Sequence, residues 1–184
     1  LGGRFTWAQA DAGRVRDPVT GSATSFRDDW TDVVGSGRLL WHPDEKERWS
    51  LYTGASQGFR SPNLSDLTRF DIARSGELET AAFDLKPEKF LTVEVGAKTV
   101  QKNWEAGAAY YHTFIDDLIV RTPTGAVIGG ANEVTKRNAS QGWLHGVELS
   151  GRVYVGEGFS LFGQGAWQEG EADAFPTSTA ASVR

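Results

Sequence analysis

The side chains best suited to bind a ligand are five arginines in polar segments without regular hydrophobic patterning. A guanidinium group is always charged and can attract an anionic ligand if the fold brings several such groups together. The candidates for ligand binding are Arg60, Arg69, Arg74, Arg121 and Arg137. Solvation in a loop is the alternative for Arg69 and Arg74. For Arg60 the alternative is a structural role where the chain leaves a strand.

Catalytic and metal-binding patterns are missing from the sequence. His42, His112 and His145 lack the spacing of a zinc site, and the chain has no cysteine. Asp116 and Asp117 are adjacent, so on a strand they point to opposite faces and make a poor acid–base pair. The sequence contains no Ser-His-Asp arrangement, phosphate-binding loop or dinucleotide fingerprint. We therefore predict that the protein is not an enzyme and holds neither a metal ion nor a cofactor.

Composition narrows the class of protein further. The formal net charge of -5 and the pI near 5.2 argue against a nucleic-acid-binding surface. No run of about 18 apolar residues is present, so no transmembrane helix is predicted. Mean hydropathy is -0.39, a value that also suits a membrane β-barrel, in which polar and apolar residues alternate. The 22 glycines, 7 tryptophans and 10 phenylalanines favour a β-rich protein.

Alternation of apolar and polar residues with a period of two is the dominant pattern, and it predicts β-strands. The clearest case is 88–100, where Leu91, Val93, Val95 and Ala97 alternate with Thr92, Glu94, Gly96 and Lys98. The predicted strands are 4–12, 30–41, 47–57, 88–100, 104–115, 144–155 and 159–168. Most run for about 10 to 12 residues, which is longer than the strands of typical soluble sheets.

The connections between these strands alternate between short turns and long polar loops. Short turns are predicted at 42–46, 101–103 and 156–158, and long loops at 13–29, 58–87 and 116–143. Transmembrane barrels combine strands of this length with short turns at one rim and long loops at the other. We therefore predict an all-β fold, a segment of a transmembrane antiparallel up-and-down β-barrel. Since lipid cannot satisfy a free sheet edge, about seven strands imply an internal segment of a larger barrel.

A barrel segment of this kind predicts how its strands are arranged. Sequential strands should pair antiparallel, and the three long loops should lie at one rim. The apolar side of strand 88–100 should face lipid, while Thr92, Glu94 and Lys98 face the lumen, because charge is costly at the lipid surface. Tryptophans near strand ends suit anchoring at the membrane interface. Those are Trp30, Trp41, Trp49, Trp104 and Trp167.

Several segments resemble one family of membrane receptors. Residues 58–67 (GFRSPNLSDL) are similar to the GFR-x-PN-x-x-x-L segment of TonB-dependent outer-membrane receptors, and 85–98 are similar to their L-x-PE…E-x-G-x-K segment. Residues 110–119, and Asn138 with residues 146–149, resemble the segments that follow. Together they cover roughly residues 30–168. The residues that carry the motifs are Gly58, Phe59, Arg60, Pro62, Asn63, Leu67, Pro87, Glu88, Glu94, Gly96, Gly146 and Glu148.

The resemblance implies a barrel of about 22 strands with a plugged lumen in the bacterial outer membrane. Residues 1–184 would then be a partial barrel domain, without the plug and without the C-terminal strand. Such receptors take up scarce ligands, most often ferric siderophores, and also cobalamin, haem or carbohydrates. The implied partners are outer-membrane lipid, lipopolysaccharide, a small extracellular ligand such as a ferric siderophore, and TonB through the missing N-terminal part. Residues 61–86 contain no histidine, which lowers the case for haem.

Two other functions remain open from the residues alone. One is a different outer-membrane barrel, a porin or an autotransporter translocator. The other is a secreted β-rich carbohydrate-binding domain that stacks sugars on exposed tryptophan and tyrosine. A carbohydrate-binding domain would need closed sheet edges, and a porin or translocator would lack the paired motif segments.

Overall fold

The structure, a computed structural model, describes residues 1–16, 21–72, 75–156, 158–173 and 179. Within these residues the chain forms one sheet of nine strands and one short helix. The elements are β1 (Gly2–Arg16), β2 (Ala23–Trp41), β3 (Trp49–Arg60), α1 (Leu64–Leu67), β4 (Asp71–Ile72), β5 (Leu78–Thr80), β6 (Glu88–Val100), β7 (Trp104–Ile128), β8 (Ala131–Tyr154) and β9 (Ser160–Ala172). No helix in this described part of the chain is long and apolar enough to cross a membrane.

The long strands form an antiparallel meander, which confirms the predicted sequential pairing. The order β1-β2-β3-β6-β7-β8 continues to β9, which pairs with the part of β8 from Gly142 to Tyr154. The other part of β8 pairs with β5, and β5 pairs with β4. The β5–β8 pairing is parallel and was not predicted. Because the strands alternate in direction, the ends at which β1 meets β2, β3 leads to β6 and β7 meets β8 lie at one end of the sheet, called here the loop end.

Two of the three predicted long loops are instead mostly strand in the residues that the structure describes, so those loop predictions are wrong; residues 17–20 lie outside the described part. The segment 13–29 is mostly taken up by the β1–β2 hairpin, and 116–143 by the β7–β8 hairpin. Strands β7 and β8 are 25 and 24 residues long, about twice the length that spans a membrane. Gly129 and Gly130 have φ values of 58° and 85°, the left-handed geometry of a tight two-residue hairpin turn.

The loop predicted at 58–87 is shorter and more ordered than expected. Strand β3 continues to Arg60, and α1, β4 and β5 occupy part of the remainder. Asn63 caps α1: its Oδ1 accepts from the backbone N of Asp66, and the Asp66 carboxylate accepts from the backbone N of Asn63. This capping box fixes the first turn of a helix too short to be stable alone. The prediction for 88–100 matches the bounds of β6 (Glu88–Val100).

The strand pleat separates the sheet into an apolar and a polar face. Directly paired residues Leu39, Thr53, Val95, Tyr110, Val147 and Trp167 form a row across the apolar face. The neighbouring row on the polar face is Arg38, Gly54, Glu94, Tyr111, Gly146 and Gln168. Arg38 Nη2 lies 2.9 Å from Glu94 Oε2, across the strand that carries Gly54. The division of β6 into an apolar and a polar side therefore agrees with the sequence pattern.

Two motif glycines let tyrosine rings lie flat on the polar face. A Cβ atom on Gly96 would overlap the ring of Tyr52, its directly paired residue. A Cβ atom on Gly146 would lie 2.6 Å from Tyr111 Oη. Each glycine thus provides the space that a large ring on the adjacent strand fills, and any side chain there would displace it.

A small hydrophobic core lies at the loop end, where residues 61–87 pack on the polar face. Its buried members are Ala10, Trp30, Leu67, Ala82 and Leu85, with Phe26 and Ile119 against them. Trp30 Nε1 donates a hydrogen bond to the Leu85 carbonyl oxygen at 3.1 Å. Trp30 is therefore a core residue rather than an interface anchor, because the folded loop covers it.

Candidate functional site

The site begins where β3 and β6 end. Arg60 and Glu88 are directly opposed in the ladder, and Arg60 Nε donates to Glu88 Oε2 at 2.6 Å. Glu88 is 3% exposed, and its other oxygen accepts from the backbone N of Ile119 at 2.9 Å. A carboxylate so buried needs a cation and hydrogen-bond donors nearby. The end of β3 supplies the cation, because the ladder brings the GFR segment to the PE segment, and β7 supplies the backbone donor.

Asp66 connects this pair to the long β7–β8 hairpin. Its carboxylate accepts from Arg60 Nη1 at 2.8 Å and from Lys136 Nζ at 2.9 Å. Burial opposes ionisation of Asp66, but hydrogen bonds from Lys136, Arg60 and the backbone N of Asn63 outweigh it. They hold the Asp66 pKa below its ordinary value. One aspartate thus caps α1 and bridges the end of β3 to β8.

A second group of charges surrounds β5. Arg121 Nη2 donates to Glu77 Oε2 at 2.7 Å. Glu79 is 2% exposed and lies among three cations: Arg69 Nε and Arg121 Nε are each 3.6 Å from its Oε2, and Lys136 Nζ is 3.8 Å from its Oε1. Lys136 therefore joins both groups into one rim network. Its members are Arg60, Arg69, Arg121, Lys136, Asp66, Glu77, Glu79 and Glu88.

Asn138 holds the last part of the loop against the hairpin. Its Oδ1 accepts from the backbone N of Lys86 at 2.7 Å, and its Nδ2 donates to the Lys86 carbonyl oxygen at 2.8 Å. The same Nδ2 donates to the Asp117 carbonyl oxygen at 2.7 Å, next to a bulge where Asp117 has φ 56°. An amide side chain is suited to this role because it offers a donor and an acceptor side by side.

The structure distributes the five predicted ligand-binding arginines unevenly. Arg60, Arg69 and Arg121 belong to the rim network, so it brings these three together with carboxylates. Arg137 is exposed and follows Lys136 on β8, so it points to the opposite face of the hairpin. Arg74 lies outside the described residues. The ligand-binding role of all five stays a prediction.

Sequence reasoning did not identify Lys136 or the four carboxylates as a network. Asp66, Glu77 and Glu79 resemble ordinary solvated loop charges when only neighbouring residues are considered. The motif residues Pro62, Leu67 and Glu88 are buried at the base of the network, which suggests that the motif encodes this loop arrangement. The sequence does not show which distant segments contact one another, and Lys136 and Asp66 are 70 residues apart in the chain.

Comparison with known proteins gives one family and several similar folds. Residues 1–182 match the family model described as TonB dependent receptor-like, beta-barrel. The copper transporter OprC aligns with a TM-score of 0.64 at 19% identity, covering 91% of this chain and 26% of that one. The siderophore receptor PirA from Pseudomonas aeruginosa aligns with a TM-score of 0.64 at 20% identity, covering 80% and 31%.

A third solved structure is the ferric enterobactin receptor PfeA from Pseudomonas aeruginosa, a mutant in complex with enterobactin. It aligns with a TM-score of 0.60 at 16% identity and covers 88% of this chain and 26% of that one. The chain therefore spans about a quarter to a third of the length of these three proteins. At these identities the likeness establishes the fold.

Proposed function

Because this chain belongs to the TonB-dependent receptor β-barrel family of outer-membrane transport receptors, we propose that it forms part of the barrel wall of a receptor that takes up a ferric siderophore. The family match sets aside the porin, the autotransporter translocator and the secreted carbohydrate-binding domain. In this proposal residues 1–184 are a partial barrel domain, and further strands close the open sheet on both sides.

The observation that carries the proposal is the combination of a two-faced sheet with a folded, charged loop at the loop end, opposite the short turn at 42–46. The apolar face leaves Leu39, Val95 and Leu149 exposed by 74%, 54% and 56%, which suits contact with lipid and the acyl chains of lipopolysaccharide. The polar face, with Arg38 and Glu94, suits a lumen. In this proposal the ligand would approach the lumen from the loop end of the sheet.

The rim network would act as the foundation of the ligand entrance. It fixes the loop 61–87 to the β7–β8 hairpin, so that ligand-contacting side chains are presented on a rigid base. Arg69, whose side chain is 45% exposed, is the network arginine best placed to donate hydrogen bonds to a ligand. Arg60 and Arg121 would support the entrance from below, and Arg74 and Arg137 are further candidates. Coupling to TonB is proposed to run through another part of the receptor.

An uptake experiment tests this function. The full-length gene is expressed in a strain whose own siderophore receptors are deleted, and uptake of radioiron-loaded siderophores is measured with and without TonB. We expect uptake of at least one siderophore that requires both the gene and TonB. Uptake that is independent of TonB would indicate a passive channel instead, and TonB-dependent uptake of cobalamin or haem alone would replace the siderophore as the ligand.

A further inference from the structure

We propose that the metal chelate taken up here carries no net negative charge, so that the ligand is a neutral or cationic chelate. This inference rests on the proposed uptake function and narrows its substrate class. It follows from how positive charge is used at the loop end of the sheet.

The cations of the rim network are matched by carboxylates of the same network. Arg60 is joined to Glu88 and Asp66, Arg121 to Glu77, and Lys136 to Asp66, at distances between 2.6 and 2.9 Å. The four carboxylates are between 2% and 9% exposed, so each needs its cation in order to stay ionised inside the protein. With four cationic and four anionic members, the network presents no net positive charge to a ligand.

Other arginines of the loop end point away from the polar face. Arg14 and Arg16 are exposed on either side of Val15, which is buried at 6%. Adjacent residues on a regular strand point to opposite faces, so Arg16, which pairs with Ala23, is directed away from the side on which Val15 packs, whereas Arg14 lies in the register shift between Ala12 and Val15. Arg137 is directed away in the same manner, because the neighbouring Lys136 reaches inward to Asp66.

At the loop end of the polar face, carboxylates outnumber the cations that lie outside the rim network. Asp28 and Asp32 lie there two residues before and after Trp30, beside the small core. On the loop, Asp71 and Asp84 are exposed; in the part that the structure describes the exposed cations are Lys86 and the network residue Arg69. A charged entrance concentrates ligands of opposite sign and repels those of its own sign. The polar face at the loop end therefore disfavours binding of an anionic chelate and accepts a neutral or cationic one.

Three iron(III) probes test the charge class with the full-length receptor in detergent. They are a neutral tris-hydroxamate, the same hydroxamate carrying an added ammonium group, and a trianionic tris-catecholate. Binding is measured at low and at moderate ionic strength. We expect the neutral or the cationic probe to bind tightest, and the affinity of the cationic probe to fall as salt rises, since salt screens an attractive field. Tightest binding of the tris-catecholate, weakened by salt, would overturn the charge inference while leaving uptake intact.

Matched variants test whether the electrostatic field that attracts the cationic probe arises at the loop end. Asp28→Asn with Asp32→Asn should slow association of the cationic probe roughly threefold to tenfold at low salt and reduce its salt dependence. The control is Glu45→Gln with Glu47→Gln, which removes the same charge at the opposite end of the sheet and should leave the rate unchanged. Equal effects of the two double variants would refute a local field at the entrance. If no probe binds while cobalamin or haem does, the proposed function itself fails.

Discussion

Arg60 and Glu88 are the last opposed residues of the β3–β6 ladder, and their side chains meet there with Nε 2.6 Å from Oε2. The pair joins the ends of two motif segments that the sequence separates by the loop 61–87. It also places Arg60 within reach of Asp66, which caps α1. The closure of the ladder and the position of the loop therefore depend on the same guanidinium group.

Replacing Arg60 by alanine should detach the loop, because Glu88 and Asp66 would lose a cation while remaining buried. We expect the free energy of local unfolding to fall by about 3 kcal/mol. Native-state hydrogen exchange of the Leu67 and Thr68 amides, which are hydrogen-bonded to Asn63 and Leu64, measures it in the full-length receptor. Arg27→Ala is the control, since its pair with Asp11 is 4.0 Å long and exposed. That variant should change stability by less than about 1 kcal/mol, and an equal loss in both would contradict the prediction.

Gly96→Ala should destabilise the barrel wall, because the new methyl group would overlap the Tyr52 ring. Overpacking of this kind costs about 1–3 kcal/mol, which urea unfolding of the receptor in lipid vesicles can detect. Gly58→Ala is a matched control on an interior strand, where the nearest atom to a new Cβ would be Phe90 Cβ at 3.8 Å. The double variant Tyr52→Ala with Gly96→Ala should recover part of the loss, and strict additivity would disprove the overlap.

Val95→Arg should impair assembly into the membrane, because Val95 lies on the apolar face with 54% of its surface exposed. A charged residue near the middle of the lipid-facing surface costs about 2–4 kcal/mol. Ser56→Arg puts the same side chain on the polar face of the paired strand and should be tolerated. The amount of heat-modifiable, folded receptor in the outer membrane measures both. Equal assembly of the two variants would show that Val95 does not face lipid.

The loop should also respond to acid through Asp66. Its pKa is held below the ordinary value of 3.8, so its contribution to stability is fully present above that pH. The contribution is lost as pH falls through the lowered pKa, because the protonated acid no longer attracts Lys136 and Arg60. Protease sensitivity of the loop, followed between neutral pH and strong acid, should show a step below pH 3.8. Asp66→Asn should remove that step and leave the loop sensitive at every pH, whereas a retained step would point to another carboxylate.

The sequence predicted β6 well for a physical reason. Its residues alternate between the apolar and the polar face of the sheet, and this produces a period of two from Leu91 to Lys98. Beyond Ile115 the β7–β8 ladder shifts register at three places, so the period of two is interrupted there. For this reason 116–143 was mistaken for a loop.

The rim network was beyond reach of local sequence reasoning for a different reason. Lys136 on β8 and Asp66 on α1 are brought together by the packing of the loop against the β7–β8 hairpin, and nothing near either residue indicates the other. The motif residues Arg60, Asn63 and Glu88 could be recognised by resemblance, but their roles depend on atoms supplied by β7 and β8. Likewise, the requirement for glycine at position 96 is explained only when the Tyr52 ring is placed beside it.

The parallel pairing of β5 with β8 determines the order in which this wall can form. Thr80 and Val134, which are hydrogen-bonded through Thr80 Oγ1, are 54 residues apart in the chain. Hairpins such as β7–β8 bring together residues that are close in sequence and can zip up from their turns, whereas contacts between distant residues form late. The β5 part of the loop 61–87 therefore has no paired strand until β8 has joined the sheet. We therefore expect the segment around β5 to order after the long strands of the sheet and to stay accessible to proteases until β8 has paired.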